Sequence, residues 1–164
     1  MKNLHIVRHS KSSWDLNVAD IDRPLNDKGI NNSYLVADRL KKLFPTPELA
    51  ITSPACRAMH TAVIFARVMG ISGKKITFDE RIYSASTKEL LQIIAETSDT
   101  INNLIIFGHN NTFTEISNYF LPTQIDNLPT SGVTSLTFNS SNWAIEKLKP
   151  IKTNVDFPKN DKFA

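Results

Sequence analysis

Short aliphatic runs alternate along the chain with longer segments whose apolar residues recur every three to four positions. Residues 3–8, centred on Ile6-Val7, read as a buried strand. A helix is expected over 27–44, where Ile30, Tyr34, Ala37, Leu40 and Phe44 recur at helical spacing before Pro45 and Pro47. Leu49-Ala50-Ile51-Thr52 reads as a second strand. Ser53-Pro54 then offers a helix cap and a proline suited to a first helical position. That helix carries Ala58, Ala62, Phe65, Ala66 and Met69 inward and stops at Gly70, ahead of a short strand at 75–78. Ser86-Thr87-Lys88-Glu89 has the form of a capping box before Leu90, Leu91 and Ile94. After a strand at 103–108, Thr112-Phe113-Thr114-Glu115 offers another, opening a helix that ends near Pro122. Val133–Phe138 and Trp143–Leu148, separated by Asn139-Ser140-Ser141-Asn142, have the pattern of a β-hairpin.

Strands alternating with helices and closed by a hairpin imply an α/β fold, a three-layer α/β/α sandwich around a mostly parallel central sheet. No repeat or linker divides the chain, so residues 1–150 are expected to form one domain. The lysine- and aspartate-containing stretch 151–164 is expected to be a loosely held tail. With 164 residues, 41% of them hydrophobic, the chain can build one ordinary core. The net charge of +3 comes without an arginine-lysine block, which gives no support to nucleic acid as a partner but suits a phosphorylated substrate. A single cysteine, Cys56, excludes an internal disulfide framework and a multi-cysteine zinc site. No leader-like segment or membrane-length apolar window is evident, and the expectation is a cytoplasmic chain with no membrane partner.

The chemistry lies where the strands end. Arg8-His9-Ser10 follows the first strand, and Gly108-His109-Asn110 follows the run Leu104–Phe107. In parallel α/β sheets the carboxyl edge of the strands is where ligands bind. Arg57 falls in the first turn of a helix that also follows a strand, where free N–H groups and the helix dipole favour an anion. A guanidinium there adds bidentate, charge-assisted hydrogen bonds to phosphoryl oxygens. Each feature alone is ordinary. Together, Arg8, His9, Arg57 and His109 on one sheet edge point to a phosphate site.

An Arg-His-small triplet after the first strand, the Ser-Pro-x-x-Arg-Ala-x-x-Thr-Ala segment from Ser53, and the late Gly108-His109-Asn110 resemble the histidine phosphatase (phosphoglycerate mutase-like) superfamily. The short chain and Asp22-Arg23-Pro24-Leu25-Asn26-Asp27-Lys28-Gly29 are most similar to its SixA-like phosphohistidine phosphatases, with the resemblance covering about 3–149. The resemblance implies that His9 is the nucleophile, that Arg8 and Arg57 clamp the phosphoryl oxygens, and that His109 stabilises charge on the transferring group. It implies no metal and no cofactor. Ser10 stands where the family's commonest triplet has glycine; it is small enough for phosphate to approach, and its hydroxyl is a candidate donor to an oxygen. Glu80, in Glu80-Arg81-Ile82-Tyr83, resembles the segment that supplies a glutamate proton donor in mutase-type members.

The implied substrate is a phosphohistidine protein, with a small phosphorylated metabolite as the alternative. A non-catalytic phosphate-binding module is the rival outside enzymes. Other readings are weaker. His5 and His9 lie about 13 Å apart on a strand, too far to share a metal, and His5 reads as a packed strand residue. Cys56 lacks the downstream arginine of a cysteine-phosphatase loop, and Asp20-Ile21-Asp22 lacks the preceding apolar strand of an aspartate phosphatase. Trp14 and Trp143 read as core or loop anchors, and Phe113 and Tyr119 as core positions of their helix.

Overall fold

The computed structural model describes residues 1–160. Six strands form one sheet: β1 (Lys2–Arg8), β2 (Leu49–Thr52), β3 (Ile76–Phe78), β4 (Asn103–Gly108), β5 (Val133–Phe138) and β6 (Lys152–Asp156). Their order is β3-β2-β4-β1-β5-β6. The first four run parallel, β5 is antiparallel to β1, and β6 is antiparallel to β5. Helices α1 (Asp27–Leu43) and α2 (Cys56–Met69) cover one face, and α3 (Thr87–Ala95) and α4 (Thr112–Phe120) cover the other. This is the expected three-layer α/β/α sandwich.

Strand periodicity explains the two-sided core. Leu4 and Ile6 of β1 and Leu104 and Ile106 of β4 pack with α3 and α4, whereas Val7, Ile105 and Phe107 pack with α1 and α2. His5 lies on the second face, fully buried, its Nδ1 2.8 Å from Ser135 Oγ and its ring edge-on to Phe44. Burial lowers its pKa to about 3, so it packs as a neutral ring.

The strand paired with β5 is not Trp143–Leu148. β6 takes that place, with Val133 opposite Asp156 and Thr137 opposite Lys152. β6 is a polar edge strand, Lys-Thr-Asn-Val-Asp, and carries almost no apolar signal. Trp143 and Ile145 alternate as strand residues do but are used to plug the α3/α4 core. Trp143 Nε1 donates to Ile101 O at 2.9 Å, and the buried Lys2 ammonium lies 5.4 Å from its ring. The expected tail is therefore part of the sheet through residue 156, where buried Asp156 pairs with Arg39 at 3.4 Å. Residues 161–164 lie outside the described residues.

Helix starts also differ in instructive ways. The Ser86–Glu89 capping box forms as expected. α2, however, begins at Cys56 rather than at Pro54, and Ser53 accepts from Ala55 N–H without capping the helix. Thr112 donates to Ala85 O instead of capping α4, and Asn110 Oδ1 accepts from Thr114 N–H. Tyr119 is half exposed and donates to Glu146 O.

In α1 the buried face is Gly29, Ser33, Val36, Ala37 and Leu40, rotated from the apolar stripe so that Tyr34 is exposed. The cause is close packing: a Cβ on Gly29 would sit 2.1 Å from Lys11 O. Asn26 caps the helix by accepting from Gly29 N–H at 2.8 Å, and its own N–H donates to Lys11 O. A Gly29→Ala change gains about 1 kcal/mol of helix propensity but forces the Lys11 backbone away. We expect a net loss of about 2 kcal/mol, read as a lower denaturation midpoint; an unchanged midpoint would contradict the contact.

Candidate active site

Parallel pairing sets Arg8 of β1 opposite Gly108 of β4, so the next residues, His9 and His109, emerge side by side. His9 N–H donates to Gly108 O at 2.9 Å, and the two imidazole centroids are 5.2 Å apart. Gly108 is required by space: a Cβ would meet the Phe113 ring at 2.5 Å and Ile82 at 2.7 Å. On the other side of β4, Ser53 N–H donates to Phe107 O, which brings the end of β2 to the same edge.

The His9 ring is oriented by its neighbour. Nδ1 lies 2.8 Å from Ser10 O; a carbonyl only accepts, so Nδ1 carries the proton and Nε2 keeps a free lone pair. Burial, which outweighs the Ser10 carbonyl, lowers the His9 pKa to about 4, with the Arg57, Arg8 and Arg23 cations adding to the effect. His109 falls to about 3, through burial first and then His9 and Arg57. Its Nε2 contacts Ser53 Oγ at 2.8 Å. A Ser53 hydroxyl that donates to Nε2 leaves the proton on Nδ1, a buried atom without a hydrogen-bond partner.

Both arginines are fixed while part of each fork stays unused. Arg8 Nη1 donates to Leu128 O at 2.9 Å. Arg57 sits in the first turn of α2, where Nη1 donates to Asp20 O at 2.7 Å and Nη2 to Asp20 Oδ2 at 3.0 Å. Arg8 Nε and Arg57 Nε are buried and lack partners. Buried polar groups are normally satisfied, so three unpartnered ones beside a nucleophilic ring describe a site for an oxyanion.

Ser10 departs from the expected role. Its hydroxyl accepts from Ser131 Oγ at 2.6 Å and meets Ser33 Oγ, whose proton goes to Gly29 O at 2.8 Å. Ser10 must therefore donate to Ser33, and no hydroxyl proton remains for a phosphoryl oxygen. Ser10 braces the loop instead, with its N–H donating to Thr61 Oγ1 and Ser131 held at φ 64° beside it. Glu80 is exposed at the start of a 3-10 turn (Glu80–Ser84), without a hydrogen bond or ion pair among the described residues. The residue of that segment that reaches the site is Tyr83. Its ring stands edge-on to His109 at 5.5 Å and its hydroxyl donates to Asp20 Oδ2 at 2.6 Å.

Asp20 and Arg23 complete the constellation, and neither was singled out from sequence for a role here. Asp20 Oδ1 takes Arg23 Nε at 3.1 Å; Arg23 Nη1 reaches Ser12 Oγ at 2.8 Å. The Tyr83 hydroxyl above all, joined by Arg57 and Arg23, outweighs the opposing effect of burial and holds the Asp20 pKa at about 2. Trp14 is 78% exposed, not a core anchor, and lies 3.5 Å from the Arg23 guanidinium. The local hints are the Asp22-Arg23-Pro24-Leu25 segment and the Asp20-Ile21-Asp22 pair, which by itself suggests only an aspartate-phosphatase motif. Among the described residues no cluster of three or more His, Cys, Asp or Glu has metal-binding geometry.

Both site histidines are depressed below 6.5, so unfolding takes up protons in acid. The stability they confer is full above pH 6.5 and is lost as pH falls through about 4 and 3. We expect nitrogen-detected NMR to find both rings neutral at pH 5.5, with His9 protonated on Nδ1. A charged His9 at that pH would contradict the geometry.

The profile of the histidine phosphatase superfamily (branch 1) matches residues 4–87, just over half the chain. An uncharacterized protein of Mycobacterium tuberculosis is 30% identical over 106 residues, covering 65% of this chain and 64% of that protein. A chloroplastic Arabidopsis thaliana protein is 33% identical over 123 residues, 70% of this chain and 56% of that one. The chain thus matches less than two thirds of the length of these relatives. The fold is similar to a candidate phosphohistidine phosphatase SixA of Nakamurella multipartitia, with TM-score 0.82 and 18% identity over 97% of each chain. It is also similar to protein histidine phosphatase SixA complexed with tungstate, with TM-score 0.79 and 19% identity over 95% of this chain and 97% of that one. A mycobacterial glucosyl-3-phosphoglycerate phosphatase aligns with TM-score 0.61 at 14% identity, over 96% of this chain and 98% of that one. At such identities the likeness establishes the phosphoglycerate mutase-like fold. With the profile spanning Arg8, His9 and Arg57, the chain belongs to the histidine phosphatase superfamily, branch 1.

Proposed function

We propose that this chain is a phosphatase that works through a covalent phosphohistidine on His9 and acts on phosphohistidine in a protein. The observation that carries the reading is the His9 ring, neutral and tautomer-fixed by Ser10 O, with Nε2 free. In the first step Nε2 attacks phosphorus, the Nε2–P bond forms, and the bond to the leaving group breaks with its electron pair. In the second, water attacks the phosphohistidine, inorganic phosphate departs, and His9 regains its lone pair. Arg8, Arg57 and His109 surround the transferring group with donors that need no rearrangement as charge moves to its equatorial oxygens.

The P–N reading of substrate has a chemical basis. An alkoxide leaving group depends strongly on a positioned acid, and Glu80 has no contact that ties it to His9. An imidazole is easily protonated and leaves without one. The SixA neighbours support this choice by analogy of fold alone. The alternative, a small phosphate ester, is favoured by the similarity to a glucosyl-3-phosphoglycerate phosphatase.

The test is trapping with a radiolabelled phosphoryl donor, quenched in alkaline denaturant so that a P–N bond survives. Label is expected on His9, and His9→Ala should lose at least about 10³-fold in turnover while remaining folded. An active His9→Ala variant would sink the mechanism, and saturable phosphate binding without label would favour a non-catalytic module. Arg57→Ala should lower kcat/KM about 10²-fold or more, measured under subsaturating substrate.

A further inference from the structure

We infer that Asp20 determines leaving-group specificity: its carboxylate accepts a hydrogen bond from the distal N–H of a protonated phosphohistidine ring and so favours nitrogen over oxygen leaving groups. This rests on the phosphatase reading above and names the residue that would select its substrate class.

The position of Asp20 is the first argument. It joins Arg57 of the phosphate clamp to Tyr83, which stands against His109. The Asp20 side chain is 51% exposed whereas the Arg57 side chain it holds is 8% exposed, so Asp20 forms the solvent-facing rim of the phosphate clamp. In-line transfer puts the leaving group opposite His9 Nε2, and a leaving group that exits to solvent past Tyr83 meets that rim.

Lone-pair accounting is the second. A carboxylate accepts about four hydrogen bonds. Oδ2 takes Arg57 Nη2 and Tyr83 OH, and Oδ1 takes Arg23 Nε, which leaves one acceptor position on Oδ1. The backbone carbonyl of Asp20 is held separately by Arg57 Nη1, so the residue is fixed at both ends.

The chemistry balances without an acid. In a singly protonated phosphohistidine ring one nitrogen bears phosphorus and the other bears hydrogen. When His9 Nε2 forms its bond to phosphorus, the P–N electron pair returns to the ring, which departs as neutral imidazole with its proton still on the nitrogen facing Asp20. The carboxylate supplies the hydrogen bond that stabilises the cationic ring before cleavage. An alkoxide would instead need a proton at the breaking bond. Asp20, held ionised by Tyr83 and the two arginines, has none to give near neutral pH.

The experiment compares kcat/KM for a phosphohistidine peptide and for p-nitrophenyl phosphate, whose phenolate leaves without a proton. Wild type, Asp20→Asn and Asp20→Glu are measured side by side, with thermal melts to establish folding. Loss of a hydrogen bond to a charged ring predicts that Asp20→Asn lowers the peptide-to-ester ratio by about tenfold or more. Asp20→Glu, which keeps the charge, should hold the ratio within about threefold even where both rates fall. Equal losses on both substrates in Asp20→Asn would overturn the inference, because Asp20 would then serve only to hold Arg57. Wild type that cleaves the ester and ignores the peptide would overturn it as well. Absence of both turnover and His9 label would remove the phosphatase reading beneath it.

Discussion

The parallel pairing of β1 with β4 is the constraint on which the site rests. It places residues 8 and 108 opposite each other, so two imidazoles leave the sheet one residue later at contact distance. Both strands lie in the middle of the sheet and are buried on both faces, which makes their register costly to change. A one-residue slip of β1 would send Val7 to the wrong core and separate the rings. Hydrophobic packing thus sets where the two imidazoles emerge, and the polar contacts around them set ring orientation and tautomer.

Those polar contacts are arranged against stability. Burial holds two histidines neutral, and Arg8 and Arg57 each keep a buried Nε without a partner. Each of those Nε groups, like His109 Nδ1, has lost water without gaining a hydrogen bond, a destabilising state for a free-standing fold. Asp20 offsets part of this by accepting from both Arg57 and Arg23. The remaining deficit is what an oxyanion with several acceptor oxygens would relieve, so affinity for phosphate and local instability have one origin.

Much of this was legible in the sequence, for physical reasons that also mark where legibility ends. Central strands are nearly all apolar, so β1, β2 and β4 and the histidines and arginines after them were evident at once. Edge strand β6 is polar and left no signal, while Trp143 and Ile145 mimicked a strand by alternation. The rotated face of α1 reflects the approach of Lys11 O to Gly29, a tertiary contact no periodicity encodes. Asp20, Tyr83 and Ser53 come to the site from loops and turns, where side-chain direction depends on partners distant in sequence. Ser10 was legible as a small residue, but its direction was not.

The hydroxyls of Ser131, Ser10 and Ser33 pass their protons one way, from the β5 entry loop through the histidine loop to α1. Such a relay has a polarity, and removing its middle member strands a donor on one side and an acceptor on the other. Glycine at position 10 would therefore be foreign to this chain unless positions 33 and 131 changed with it. Three serines scattered over the sequence act as one hydrogen-bonding unit, and the histidine triplet is only the part of it that shows.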